Sequence, residues 1–347
     1  MRGKTKTVLF SILLAGLASA LAFLFSEYAY RSYLRYRYEK EAAAFSSPLY
    51  IIKPHTLIEF SMRPNSSREN RLSLAQPDKK WSYSINADGF RGRNIVHTRA
   101  KNKRILFLGD SYTFGWSVND DQAYPHQLEN LLLQNNYDAE IVNLGVPAYN
   151  TVQEYQLLCQ KLDVYNPDVV ILAYVMNDAE PQNIVPLAPE IKYQCASSWL
   201  FEDFKLLLYK VHFPFRKTFL RSNTYCIGRN YLEGFEPGSP KWKLSKNALK
   251  DIVSFCRKKN ITFFVAILPD VTQDFVGCYR WRPIHQVVSK WCEEFGVGYI
   301  DLLPYFAGID HKDFWVAGEG HPNPHAHMRF AQILFDYLRR NALAGPG

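Results

Sequence analysis

Short apolar runs alternate with longer amphipathic segments along the chain from residue 104 onward. The apolar runs are five to seven residues long and read as buried strands, whereas the longer segments repeat their apolar positions with a helical period. Such alternation predicts an α/β domain in which helices cover both faces of a five-stranded parallel sheet. The predicted strands are Arg104–Leu108, Glu140–Leu144, Val169–Tyr174, Thr262–Leu268 and Val297–Asp301, and the predicted helices lie near 121–135, 150–164, 243–259, 280–295 and 324–342.

Two stretches depart from this alternation. Residues 180–240 are rich in Pro, Phe, Tyr and Arg and lack a sustained period, so we interpret them as an insertion that packs over the domain or roofs a site. Residues 63–80 are polar and predict an exposed loop, ahead of a turn at Asp88-Gly89. The expected organisation is a cytoplasmic tip and transmembrane anchor at 1–25, a stalk and N-terminal extension at 26–100, and the α/β domain at 101–342.

The N-terminus carries an uncharged apolar run of 18 residues, at positions 8–25. A helix of that length reaches about 27 Å, close to the thickness of the hydrocarbon core of a bilayer. Arg2, Lys4 and Lys6 precede the run and favour a cytoplasmic N-terminus with the rest of the chain exported. A cleaved signal peptide is the alternative, because Ala-Ser-Ala at 18–20 resembles a cleavage site. The apolar residues continue past that site, which favours an uncleaved anchor.

The formal net charge of +8 is concentrated in this N-terminal region. Residues 1–40 hold seven cationic and two anionic residues, a net charge of +5, whereas the other 307 residues carry only +3. A basic excess around an apolar segment indicates a membrane surface and not a groove that follows phosphates, which argues against nucleic acid as the main partner. With 47% hydrophobic residues among 347, the chain is apolar enough to form a large folded core.

The six cysteines show no metal-binding spacing such as Cys-x-x-Cys. Cys195 and Cys226 flank one irregular segment, so we expect them to form the disulfide if the domain is exported. Cys159, Cys256 and Cys292 lie in helical patterns and are expected to be buried as small hydrophobic residues.

Four positions that suit catalysis lie where strands or loops reach one edge of the predicted sheet. Ser111 follows the first strand, Gly145 the second and Asn177 the third, while His321 precedes the last helix. Each has an ordinary structural interpretation, as a helix cap, a turn glycine or a loop residue. Together, at the carboxyl edge where α/β domains collect function, they indicate nucleophilic catalysis by a serine that an imidazole activates.

Four short blocks resemble the SGNH or GDSL-type serine hydrolase family. They are Gly109-Asp110-Ser111, followed by Tyr112 in place of the eponymous Leu, then Gly145, Asn177 and His321-Pro322-Asn323. The resemblance covers roughly residues 101–342, and Asn-Ala-Asp-Gly-Phe-Arg-Gly before this region is most similar to the membrane-anchored bacterial members. The resemblance implies a three-layer α/β/α fold of the flavodoxin-like type, with Ser111 as nucleophile and His321 as its base. It also implies an oxyanion hole formed by the backbone N–H groups of Ser111 and Gly145 and the side-chain amide of Asn177.

The chain departs from the family at the carboxylate that orients the histidine. In the family this acid usually lies three residues before the histidine, where this chain has Gly318. Glu319 is the nearest acid and the expected third member, since its longer side chain compensates for starting one residue closer to His321. Asp313 is the alternative partner. Asp110 is interpreted as a hydrogen-bonding brace for the nucleophile turn.

The histidines at 321, 325 and 327 also resemble a metal-binding tract. Pro322 and Pro324 prevent a regular helix from placing His321 and His325 on one face, and no Cys or acidic residue has ligand spacing. We therefore expect no metal site, with zinc as a minor alternative, and no organic cofactor is implied.

The sequence predicts a membrane-anchored serine esterase or acylesterase whose catalytic domain lies in the periplasm or outside the cell. The resemblance and the location imply an O-acyl ester, especially an O-acetyl ester, on cell-envelope or extracellular carbohydrate as the substrate. An O-acyltransferase that uses the same serine and histidine is one alternative. A non-catalytic glycan-binding or assembly protein with a degenerate site is another.

Overall fold

The computed structural model describes residues 2–44, 50–52, 58, 60–73, 76–98, 101–180, 198, 200, 231–275 and 279–343. The chain divides into two compact units, one formed by Met1–Ser46 with Val185–Ile227 and the other by Ser47–Ile184 with Gly228–Gly347. The predicted Cys195–Cys226 disulfide and most of the predicted insertion 180–240 lie outside the described residues.

The first unit contains the long N-terminal helix α1 (Arg2–Ala44). Among the described residues, one helical span is long and apolar enough to cross a membrane, Phe10–Arg37 in α1. A signal sequence has the same length and composition. Within this span, the Glu27 carboxylate accepts hydrogen bonds from Ser198 Oγ (2.8 Å) and the Leu200 N–H (3.2 Å), and it pairs with Arg31 at 2.8 Å. The one acidic side chain of this span is therefore paired within its own unit.

Two small antiparallel sheets open the second unit. β1 (Tyr50–Ile52) pairs with β2 (Phe60–Met62), and β3 (Ser66–Ser73) pairs with β4 (Gln76–Ile85). The prediction of an exposed loop over residues 63–80 is wrong, because most of this segment lies in the β3–β4 hairpin. β4 buries every second side chain at Trp81, Tyr83 and Ile85. β3 pairs with it through the backbone ladder and through an exposed ion pair between Glu69 and Lys80 at 2.6 Å, so the polar side chains of β3 are no obstacle to strand formation.

The centre of the second unit is a five-stranded parallel sheet, and the prediction of an α/β fold is confirmed. Its strands run in the order β6-β5-β7-β8-β9, the flavodoxin-like order in which the first strand lies between the second and the third. β7 is buried along its whole length because helices cover both faces of such a sheet. The strands are β5 (Lys103–Leu108), β6 (Ala139–Asn143), β7 (Val169–Tyr174), β8 (Thr262–Ile267) and β9 (Gly298–Asp301), each within one residue of its predicted ends.

Seven helices of the second unit alternate with these strands or follow them within the described residues. Proline in the first turn opens α3, α6, α7 and α8, where its missing N–H costs no hydrogen bond. α3 packs against α8, and α4 packs against α6. The helices are α2 (Ser111–Phe114), α3 (Tyr124–Gln134), α4 (Thr151–Tyr165), α5 (Tyr231–Gly234), α6 (Pro240–Lys258), α7 (Arg282–Glu294) and α8 (Pro324–Asn341).

The cysteines in these helices follow the prediction at two positions of three. Cys256 and Cys292 are fully buried. Cys159 is exposed, so the expectation that it is buried is wrong. The buried stripe of α4 runs through Leu158 and Leu162, and Cys159 stands beside this stripe on the solvent side.

Candidate active site

The turn between β5 and α2 positions Ser111 at the carboxyl edge of the sheet. Asp110 caps α2 by accepting the Tyr112 N–H at 2.8 Å, and its other oxygen accepts the Asn177 side-chain amide at 3.1 Å. Ser111 is the first residue of α2, where a backbone N–H has no intrahelical acceptor. Asp110 therefore braces the turn, and the Ser111 hydroxyl and N–H lie at the end of the sheet where α/β domains bind ligands.

The structure brings together three of the predicted site residues as a chain of hydrogen bonds. His321 Nε2 lies 2.9 Å from Ser111 Oγ, and His321 Nδ1 lies 2.7 Å from Glu319 Oε2. A carboxylate only accepts hydrogen bonds, so the proton of a neutral imidazole belongs on Nδ1, and Nε2 is left to accept the serine hydroxyl. This arrangement can take a proton from Ser111 and hold the resulting imidazolium beside a carboxylate.

A tight turn explains why the acid stands two residues before the histidine and not three. The turn is closed by a hydrogen bond from the Val316 N–H to the His321 carbonyl at 2.9 Å. Gly318 and Gly320 adopt φ values of 79° and 90°, in the left-handed region that side-chain-bearing residues rarely adopt. An aspartate at 318 would be strained there, and Glu319 between the two glycines supplies the carboxylate instead.

Asp313, the alternative acid, lies away from the imidazole. It ends a short 3-10 turn, is exposed, and uses its backbone carbonyl to accept the Asn323 side-chain amide at 2.9 Å. Asn323 in turn caps α8 by accepting the His325 and Ala326 N–H groups. The Asp313 backbone thus anchors the start of α8, and Glu319 is the acid that contacts His321.

The loops after β6 and β7 carry the other two predicted residues. An added Cβ on Gly145 would lie 2.3 Å from the Phe114 nitrogen and 2.7 Å from the Thr113 carbonyl carbon, so only glycine allows this loop to approach α2 so closely. The Gly145 N–H donates to Asn143 Oδ1 at 2.8 Å. The Asn177 amide is held by Asp110, as described above. Both residues lie beside the turn that carries Ser111, although the Gly145 N–H already has an acceptor.

Three buried carboxyl groups, those of Asp110, Glu154 and Asp178, lie close enough to one another to interact electrostatically, and Asp110 directly precedes Ser111. Burial raises the pKa of Glu154 well above its usual range, and the nearby charge of Asp110 raises it further. Burial raises the pKa of Asp178 in the same way, with added repulsion from Glu154 and Asp110. Burial also raises the pKa of Asp110, against the opposing hydrogen bonds from the Tyr112 N–H and Asn177. Sequence reasoning missed Glu154, whose only signal is an acid on the buried stripe of a helix.

A second residue that the sequence did not single out is Trp116. Its indole Nε1 donates to Glu319 Oε1 at 2.8 Å, so both oxygens of the Glu319 carboxylate are engaged. The available signal was its place directly after the Gly-Asp-Ser-Tyr-Thr-Phe-Gly block. No pattern in the sequence links it to a residue about 200 positions later.

The histidine tract does not converge on one point. His327 is fully buried, its Nδ1 accepts the Tyr124 N–H at 3.2 Å, and its ring stacks on the Tyr124 ring. Burial lowers the pKa of His327 to about 3, so this imidazole is neutral and structural. His325 is exposed on the first turn of α8. Across the described ranges, no group of three or more His, Cys, Asp or Glu side chains is arranged to hold a metal ion.

The comparison with known families matches the segment that builds this site. Residues 107–329 match the model of the GDSL-like Lipase/Acylhydrolase family, which is well over half of the chain. The chain belongs to the GDSL-like lipase/acylhydrolase family. The matched segment contains both the turn that carries Ser111 and His321.

A curated relative of this GDSL-like protein is an arylesterase from Vibrio mimicus, 29% identical over 76 residues. The match spans 22% of this chain and 38% of the arylesterase. Among solved structures, TesA is similar with a TM-score of 0.44 at 14% identity, over 69% of this chain and 99% of that one. A family 3 carbohydrate esterase from Clostridium thermocellum is similar with a TM-score of 0.43 at 18% identity, over 70% and 99% of the two chains.

Proposed function

We propose that the protein is a serine ester hydrolase in which Ser111, His321 and Glu319 form the catalytic triad. The single observation that carries this proposal is the continuous relay from Ser111 Oγ through both imidazole nitrogens to the Glu319 carboxylate, at 2.9 and 2.7 Å. A serine hydroxyl is a weak nucleophile until a positioned base removes its proton, and this relay supplies the base and its support. Membership of a lipase/acylhydrolase family supports the same reaction class.

In the proposed reaction, Ser111 Oγ attacks the ester carbonyl carbon while His321 Nε2 takes the hydroxyl proton. The tetrahedral intermediate collapses with cleavage of the bond to the alcohol oxygen, and His321 returns its proton to the departing alcohol. Water then attacks the acyl-serine, gives one proton to His321, and releases the carboxylic acid with regeneration of Ser111. Glu319 keeps the imidazole in the tautomer that accepts at Nε2 and stabilises the imidazolium in both halves of the reaction.

The negative oxygen of the intermediate needs donors that are already in place. We assign the first contacts to the Ser111 N–H and the Asn177 side-chain amide. The Gly145 N–H donates to Asn143 Oδ1, so it joins the oxyanion hole only by sharing or leaving that acceptor when substrate binds.

The proposed substrates are O-acyl esters, in the first place O-acetyl esters, of cell-envelope or extracellular carbohydrate. The similarity to an arylesterase and membership of a lipase/acylhydrolase family support an ester substrate, and α1 supports a location at a membrane. We propose that α1 anchors the protein and that the catalytic domain lies in the periplasm or outside the cell. The domain division at 1–25, 26–100 and 101–342 belongs to the same proposal.

The decisive test is covalent labelling of the full-length protein with a fluorophosphonate, which loses fluoride when an activated serine attacks its phosphorus. Mass spectrometry should find the adduct on Ser111. The Ser111→Ala variant should remain folded and lose both the labelling and the hydrolysis of an aryl acetate. A label on another serine, or full turnover by Ser111→Ala, would show that the assignment is wrong. Release of acetate from acetylated glycans, compared with aryl acetate, then tests the substrate class.

A further inference from the structure

The Glu319 carboxylate is held from two sides, and the imidazole is only one of them. Oε2 contacts His321, while Oε1 accepts the Trp116 indole N–H at 2.8 Å. The Glu319 side chain is 20% exposed, so water has access to it and the carboxylate would have alternatives to His321. A second donor on Oε1 fixes the rotation of the carboxylate plane and keeps Oε2 directed at His321 Nδ1.

The loop that carries Trp116 is itself held in an unusual conformation. Ser117, the next residue, adopts a φ of 69°, in the left-handed region that costs a side-chain-bearing residue free energy. Such a conformation persists only where surrounding contacts determine it, and strain of this kind tends to lie near functional sites. The contacts that hold this loop in its conformation therefore bear on how Trp116 is placed.

The contacts that determine the loop come from Arg91, just after β4. Its guanidinium donates to the carbonyl oxygens of Phe114 (3.0 Å), Gly115 and Val118 (2.6 Å), and it pairs with Asp120 at 2.8 Å. The Arg91 side chain is 2% exposed, so these bonds are made in a setting that excludes water. Carbonyl groups before and after Trp116 are thus fixed to one rigid guanidinium.

Aromatic packing fixes the Trp116 ring in addition to its backbone. The buried Trp81 ring of β4 meets the Trp116 ring edge-on, with centroids 5.1 Å apart at 64°. The Trp116 ring also lies near the His321 ring, with centroids 6.3 Å apart. The indole therefore contacts both the N-terminal hairpin and the imidazole, and its N–H donates to Glu319.

We propose that Trp116 is a positioning residue for the reaction, whose indole N–H holds the Glu319 carboxylate in the orientation that His321 needs. This inference rests on the proposed serine hydrolase function. In the family the acid usually lies three residues before the histidine, whereas Glu319 lies two residues before His321. The Trp116 N–H sets the rotamer of Glu319, and this explains how an acid at the shorter spacing still reaches the imidazole. It also makes the segment from Trp81 to Arg91 a supporting wall of the active site.

The test compares Trp116→Phe with Trp116→His, using hydrolysis of an aryl acetate by the full-length protein. Phenylalanine keeps a ring but lacks the N–H, whereas Nε2 of histidine occupies nearly the place of the indole nitrogen and restores a donor. Trp116→Phe should lower kcat by about 10- to 100-fold, the range for a hydrogen bond to a charged group, with KM unchanged. Trp116→His should recover a large part of the loss.

Trp291→Phe is the matched control, because Trp291 is a buried tryptophan of α7 whose Nε1 has no hydrogen-bond partner among the described residues. It should leave kcat unchanged. Two further readouts separate positioning from general destabilisation. The pKa of Glu319, followed by the pH titration of its side-chain carboxyl NMR signal, should rise in Trp116→Phe because the carboxylate loses a donor, and the same substitution should have little further effect on kcat in a Glu319→Gln background.

Each outcome decides between the possibilities. Equal loss of kcat in Trp116→Phe and Trp116→His would overturn the positioning role, because it would show that the N–H donor does not matter. An effect confined to KM would also overturn it, because it would indicate that Trp116 contacts the substrate. Wild-type kcat in Trp116→Phe, when Ser111→Ala is inactive, contradicts this proposal alone. Full turnover by Ser111→Ala contradicts the proposed function instead.

Discussion

At the scale of single residues, the identity of the acid in the proposed triad decides how the proposed site works. Glu319 contacts His321 at 2.7 Å, whereas the Asp313 backbone holds Asn323 at the start of α8. The pKa of Glu319 is a second indication. Burial would raise it, but the hydrogen bond and charge of His321, with further side-chain hydrogen bonds from Ser117 and Trp116, outweigh burial, and the pKa is lowered from the usual value for glutamate. Glu319 is therefore ionised at neutral pH, as a carboxylate that supports an imidazolium must be.

We expect Glu319→Gln to lower kcat on an aryl acetate by about 10²- to 10⁴-fold, because a neutral amide neither fixes the Nδ1–H tautomer nor stabilises the imidazolium. Asp313→Asn should keep wild-type turnover and serves as the control acid. Side-by-side steady-state kinetics of the two variants settles the choice. Collapse of the Asp313→Asn variant with an active Glu319→Gln variant reverses the assignment. Near-normal turnover in both leaves a Ser111–His321 dyad.

The residue scale also shows where sequence reasoning ends. The order Ser111, Gly145, Asn177 and His321 is visible in the sequence, because the carboxyl ends of neighbouring parallel strands must meet at one edge. The engagement of the Gly145 N–H by Asn143 and of Glu319 by Trp116 is not visible. Those bonds depend on side-chain rotamers and on loops that become neighbours only after folding.

At the scale of secondary structure, the strands of the central sheet were predictable and the N-terminal hairpin was not. Buried strands such as β7 are continuous apolar runs bounded by polar residues. This pattern is visible in the sequence whatever elements the strand packs against. β3 has no apolar pattern of its own, and its conformation is imposed by pairing with β4. The same dependence on neighbours explains Cys159, since the side of α4 that faces the protein interior is set by packing partners and not by its own sequence alone.

Helix α4 carries a buried acid whose charge interacts with that of Asp110, the residue before Ser111. Glu154 is fully buried in its first turn, and neither carboxyl oxygen has a hydrogen-bond partner among the described residues. Its pKa is raised in the folded protein, so above the ordinary glutamate pKa of about 4.3 the native state keeps a proton that the unfolded chain has lost. The free energy of unfolding must then fall as the pH rises through this window.

We expect Glu154→Gln to remove this part of the pH dependence. At pH near 4 the variant should match wild type, because glutamine mimics the neutral acid. As the pH rises, the unfolding free energy of the wild type should fall relative to the variant by up to about 1.4 kcal/mol per pH unit, until the native carboxyl ionises. Urea denaturation at several pH values measures the difference, with the exposed Glu294→Gln as control. Parallel curves for wild type and Glu154→Gln would contradict the raised pKa.

At the scale of the whole molecule, charge and hydropathy are distributed along the chain in a way that suits a protein at a membrane. α1 contains the span Phe10–Arg37, and three cations precede the apolar run while the rest of the chain after residue 40 is nearly neutral. The cations favour retention of the N-terminus on the cytoplasmic side. In a compartment outside the cytoplasm, a hydrolase would meet carbohydrate esters of the envelope, which connects the topology to the proposed substrate.

We therefore expect the full-length protein to remain in the membrane fraction after a high-pH carbonate wash, because an apolar helix of this length is held by the hydrocarbon core and not by charge. Protease added outside outer-permeabilised bacterial cells should digest the catalytic domain while a cytoplasmic marker stays intact. A chain in which a cleavable signal replaces residues 1–25 should be exported, soluble and as active per labelled Ser111 as the anchored form. Protection of the domain from external protease would reverse the orientation. A mature N-terminus near residue 21 would replace the anchor with a signal peptide, while leaving the export of the catalytic domain, and hence the access to envelope esters, in place.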